Sequence, residues 1–114
     1  MREFYKKEEI IMFITTTENI PGKNYEIIGV AMGSTIQSKH VGKDIGAGLR
    51  NLVGGEVKAY VEMMNEARDI ATQRMIDNAQ QMGADAIVCL RYSTSAVMAS
   101  AAEVMAYGTA VKFK

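Results

Sequence analysis

The segment Ala84-Asp85-Ala86-Ile87-Val88-Cys89-Leu90 predicts a strand that is apolar on both sides, with Ala86, Val88 and Leu90 facing one way and Ile87 and Cys89 the other. Both faces of such a strand need cover. The chain supplies one long helical pattern, enough for one face of a sheet. The other face therefore needs a second layer, and another copy of the chain is the simplest source of it.

The 114 residues fit one domain, which at this size buries roughly two thirds of the surface its unfolded chain exposes. Thirteen Lys and Arg balance thirteen Asp and Glu, so the broad positive field that draws nucleic acid or anionic membranes is missing, and neither is an expected partner. The single cysteine, Cys89, forms neither an internal disulfide nor a Cys-x-x-Cys pair, which fits a reducing, cytoplasmic setting. No apolar run approaches the ~20 residues of a membrane-spanning helix. Ile10 to Ile14 runs into three threonines without a small-residue cleavage pattern, so no signal peptide is read. Residues 12–114 are expected to form the domain, with residues 1–11 an N-terminal extension contributing to the first strand.

Ile10 to Thr17 is rich in β-branched residues and ends at the turn-forming Asn19-Ile20-Pro21-Gly22-Lys23-Asn24. Tyr25 to Ser38 reads as a strand with Tyr25, Ile27, Gly29, Ala31, Gly33 and Thr35 on one face and Ile28, Val30, Met32 and Ile36 on the other. Glycines inside a strand suit close approach of another backbone, so a helix is expected on the Gly29 and Gly33 face. Ile45, Leu49, Leu52 and Val53 give a short helix that ends at Gly54-Gly55. From Lys58 to Met82, Tyr60, Met64, Ala67, Ala71, Met75 and Met82 form the apolar arc of the principal helix, and Gly83 stops it. Strands follow at Asp85 to Ala96 and Ala99 to Lys112. The expected fold is α+β: a small antiparallel or mixed sheet with one long and one short helix on one face.

Thr15-Thr16-Thr17, Ile20-Pro21-Gly22-Lys23, Gly54-Gly55, Glu66-Ala67-Arg68-Asp69-Ile70-Ala71, Gly83-Ala84-Asp85-Ala86-Ile87-Val88 and Gly108-Thr109-Ala110-Val111 occur in this order. Together they resemble the YbjQ-like family over Met12 to Lys112. The resemblance implies a dodecin-subunit-like fold assembled as a ring of five, a β/α propeller. That family carries a heavy-metal-binding label, but the matching motifs here hold no cysteine, histidine or methionine ligand set.

Candidate sites are sparse. His40 and Cys89 are the conventional soft or borderline metal ligands, whereas tetrahedral zinc takes four such groups. Cys89 reads first as a small buried hydrophobe and His40 as a solvated link residue. The helix methionines track the apolar arc and read as core. Glu66 and Asp69 share a polar face with Glu62, Gln73 and Asp77, so an acid–base pair there competes with an ordinary solvated face. Arg74 and Asn78 fall inside the apolar arc, where polar groups are unexpected. Arg74 either lays its stem over the sheet edge with its charge in water, or joins Asn78 in a polar pocket or subunit seam and holds Asp85, Glu103 or an anionic ligand. With no nucleophile–base pair in view, the chain reads as a non-enzymatic homo-oligomeric ring that binds a small ligand or metal ion at its interfaces. The alternative is a scaffold or interaction protein with no ligand. No particular cofactor is implied.

Overall fold

A computed structural model describes residues 4–7, 10–38, 55–98 and 101–114. The elements are β1 (Phe4–Lys7), β2 (Ile10–Ile14), β3 (Tyr25–Ser38), α1 (Gly55–Gln81), β4 (Ala86–Met98) and β5 (Ala101–Phe113). They form an α+β unit with one five-stranded sheet in the order β1-β2-β4-β5-β3. β2 runs parallel to β4 and the other neighbours are antiparallel, so the sheet is mixed. The sequence reading finds α1 and the strands that became β2 to β5. The short helix expected around Ile45 to Val53, and His40, lie outside the described residues. β3, β4 and β5 each run 13 or 14 residues. At ~3.3 Å per residue that length accounts for most of the molecule's long axis, which measures 51 Å against 26 and 22 Å across.

α1 lies mainly on β3 and β5. Its sheet-facing row, Ala67, Ala71, Met75 and Ala79, repeats every four residues and is fully buried. The facing positions of the sheet are also small: Ala31 and Gly33 on β3, paired with Gly108 and Ala106 on β5. Small residues on both surfaces bring the two backbones together. A Cβ on Gly33 would stand 2.2 Å from the Met75 nitrogen and 2.7 Å from the Ala71 oxygen. The expected helix on the glycine face of β3 is thus present, and Gly33 is where it touches.

The helix ends as its sequence predicts. Gly83 takes φ 83°, its N–H bonds Gln80 O at 3.0 Å, and the Ala84 N–H bonds Ala79 O at 3.0 Å, which is a Schellman cap. Asp85 then ties the start of β4 to the end of β5: its N–H bonds Val111 O at 2.8 Å, and its Oδ2 accepts the Phe113 N–H at 2.8 Å.

Two irregularities change which side chains face the helix. In β4 the pairing with β5 slips between Val88 and Arg91, with Cys89 at φ 57°. This inserted residue turns Leu90 to the same side as Ile87, into the main core with α1. The simple alternation read from the sequence, with Leu90 beside Val88, is corrected accordingly. In β3 a slip between Ile27 and Gly29 sends Ile28 toward the core and leaves Ile27 exposed, so those two neighbours exchange the faces that strict alternation assigns them.

The helix-free face is covered at one end by the chain itself. Ala86, Val88 and Val111 are buried there beneath Phe13, Ile20, Tyr25, Cys89 and Phe113. The expectation that the Ala86–Val88 side needs another subunit therefore fails at this end, because Phe13 of the neighbouring strand β2 and Ile20 of the Thr15–Asn24 segment pack against it. Ile20 O accepts the Lys23 N–H at 3.1 Å and Gly22 takes φ 78°, which makes Ile20-Pro21-Gly22-Lys23 a type II turn and carries Ile20 back to the sheet.

Gly33→Ala is expected to cost about 3 kcal/mol in urea unfolding, since the new methyl group meets rigid helix backbone. Gly83→Ala is expected to cost about 1 kcal/mol, the penalty of a left-handed cap residue carrying a Cβ.

Candidate functional site

Arg74 and Asn78 lie one helical turn apart on α1, with Met75 between them, above Gly33. Because Gly33 draws the helix close, both side chains reach over β3. Arg74 Nη1 donates to Ser34 O at 2.7 Å, and Asn78 Oδ1 accepts the Met32 N–H at 3.0 Å. Their place in the apolar arc now has a cause: they bond the sheet backbone. Of the carboxylates considered as partners for Arg74, Asp85 lies 3.9 Å from Lys112 Nζ and accepts from Phe113. Glu103 lies on the helix-free face, opposite Ile36 and Ser95.

The other end of the helix-free face is open. Val30, Met32 and Ile36 of β3 are 62%, 51% and 61% exposed, and Tyr107 of β5 is 38% exposed. Met32 and Tyr107 are direct cross-strand partners, and Ile27 adds a further exposed side chain on the same side. Apolar groups clustered on one sheet face, as distinct from scattered singly, mark an interaction surface. Arg91, opposite Tyr107, borders this surface, and its Nη1 donates to Leu90 O at 2.8 Å and Thr16 O at 3.2 Å.

Cys89 is half-buried and packs against the Ala86, Val88 and Val111 cluster. Its N–H bonds Thr17 O at 3.1 Å, and the Leu90 N–H bonds Thr15 O at 3.0 Å. The three threonines are therefore a bend whose carbonyls satisfy the bulge, held in shape by a 2.9 Å contact between the Thr15 and Thr17 hydroxyls. Gly108 sits opposite the bulge, where a Cβ would lie 2.7 Å from Ile87 Cγ2. Among the described residues no three of His, Cys, Asp and Glu gather into a potential metal site. Thioether, thiol and carboxylate do not converge either: the helix methionines Met63 and Met75 are buried in apolar packing, and Glu62, Glu66 and Asp69 are exposed on the outer face of α1. The donors described within one chain do not fit a metal centre.

Sequence reasoning missed a buried polar pair. Thr72 Oγ1 donates to Arg68 O at 2.6 Å and lies 2.6 Å from the Tyr92 hydroxyl, joining α1 to β4. Tyr92 looks apolar by alternation alone, and nothing local in the sequence pairs it with a threonine twenty residues away.

The layout defines an α+β protein whose helix and irregular long strands leave one apolar sheet end uncovered, and its relatives give the family. The chain belongs to the YbjQ family, described as "Putative heavy-metal-binding", which it matches over residues 12–114. It is 61% identical over 104 residues to a UPF0145 protein of Thermosipho africanus, covering 90% of this chain and 96% of that one. It is 60% identical over 101 residues to a UPF0145 protein of Clostridium novyi, covering 89% and 98%. A crystal structure of a protein of unknown function from the DUF74 family of Pediococcus pentosaceus superposes with TM-score 0.66 at 23% identity, covering 90% and 98% of the two chains; this likeness speaks to fold alone.

If Cys89 is a packing residue, Cys89→Ala leaves zinc or copper uptake, read by elemental analysis after dialysis, equal to that of the unaltered chain. A loss of one equivalent would place a ligand at Cys89.

Proposed function

We propose that this chain is a non-enzymatic subunit of a homo-oligomer, a dodecin-like ring expected to hold five copies, that binds a small ligand or metal ion between subunits. The observation that carries this reading is the open apolar end of the sheet at Val30, Met32, Ile36 and Tyr107. Burying such side chains is worth about 1.5–3 kcal/mol each, and a second copy is always available at matching concentration. Closure into a ring also ends association at a finite number of copies. The described donors of one chain, too few for a metal site, become enough when symmetry brings copies together, so interfaces are where a ligand of this protein would sit. The single free cysteine fits a reducing, cytoplasmic setting.

Native mass spectrometry of untagged protein is expected to give one closed oligomer. Met32→Glu, which puts a charge into the contact, is expected to weaken association at least ~100-fold, or about 2.7 kcal/mol. Extra mass retained on the oligomer identifies the ligand to pursue, whereas a bare oligomer identifies a scaffold. A monomeric wild type at micromolar concentration overturns the reading.

A further inference from the structure

In an antiparallel edge strand the N–H and C=O of one residue point to the same side, and successive residues alternate. Among the described residues β3 is an edge of the sheet, paired on one side by β5. The Met32 N–H and Ser34 C=O are bonded by helix side chains, so these even-numbered residues present their backbone groups outward, away from β5. They are the groups an incoming strand would use. The side chains here, Val30, Met32 and Ile36, are also exposed and apolar, which makes the stretch a template for strand addition by another copy.

We propose that Arg74 and Asn78 are an edge guard. Reaching past Gly33 from α1, they occupy one outward donor and one outward acceptor in the middle of β3, and so bar a second copy from adding a strand across Met32 to Ser34. A charged group at the edge adds a desolvation cost to any strand that tries. Apolar contact through the open face remains available while continuous pairing along the edge does not. The guard does not depend on the oligomer proposed above. Native mass tests that oligomer, whereas the guard is read from differences among variants.

The test uses the full chain in two paired variants. Arg74→Leu with Asn78→Leu removes both bonds and keeps apolar bulk. Arg74→Lys with Asn78→Asp keeps a donor and an acceptor in place. The leucine pair is expected to form thioflavin-positive aggregates several-fold faster than wild type at equal concentration below the melting temperature, while the lysine–aspartate pair stays at the wild-type rate. Equal rates for a folded leucine pair and wild type overturn the proposal, as does a lysine–aspartate pair that aggregates as fast as the leucine pair. Should the leucine pair not fold, the Met32 amide decides: its hydrogen exchange is expected to be slowed in wild type and in Asn78→Asp and accelerated several-fold in Asn78→Ala. Unprotected exchange of that amide in wild type overturns the guard.

Discussion

The contact between the α1 backbone and Gly33 is the constraint on which the rest of the molecule depends. Small residues on both surfaces, Ala67, Ala71 and Ala79 against Ala31, Gly33 and Ala106, let the helix settle deeper than larger side chains would allow. Depth has two consequences. It sets the helix backbone over β3 and β5 and farther from β4, whose Ile87 and Leu90 reach the shared core by their side chains and whose Tyr92 hydroxyl meets Thr72. It also brings Arg74 and Asn78 within reach of strand backbone that a helix at ordinary height would not meet.

Close packing on one side accounts for the irregularity on the other. A long regular strand apolar on both sides would present a continuous greasy face to solvent. The bulge at Cys89 instead turns Leu90 into the main core beside Ile87, leaving Val88 to the second cluster, which β2 and the turn at Pro21-Gly22 cover. The bulge is held by Thr15 and Thr17 along one side and admitted by the missing Cβ of Gly108 on the other. One end of the helix-free face is closed within the chain by this means, and the apolar remainder gathers at the far end around Met32 and Tyr107.

Most of this architecture is legible in the sequence, and its gaps have physical causes. The helix is legible because its alanines and methionines keep helical spacing, and its end because Gly83 follows the last of them. The glycines of β3 announce a close helix because glycine in a strand interior has little other use. Strict alternation puts Cys89, Leu90, Ile27 and Ile28 on the wrong faces because it assumes an unbroken pleat; Cys89 is not a residue type that signals a left-handed conformation. The parallel pairing of β2 with β4 is equally hidden, being a long-range choice with no local signature. Arg74 and Asn78 stood out as misplaced in an apolar arc, but their partners are main-chain atoms, which a sequence does not distinguish from one residue to the next.

Several of the residues that carry the family resemblance have backbone roles. Ile20-Pro21-Gly22-Lys23 is a turn, Gly83-Ala84-Asp85 a helix cap with a tie to β5, and Thr15-Thr16-Thr17 with Gly108 the two sides of one bulge. Each serves a backbone requirement and none presents a reactive group. Motifs of this kind specify a fold. Among the described residues, Val30, Met32, Ile36 and Tyr107 gather exposed apolar groups at the open sheet end, with Arg91 at its border. That surface has the chemistry of a contact, aliphatic and thioether groups with a single aromatic and a cation beside it, and lacks the convergent donors of a metal cage. The heavy-metal description of the family, taken to this sequence, therefore asks for donors that one chain's described residues do not bring together.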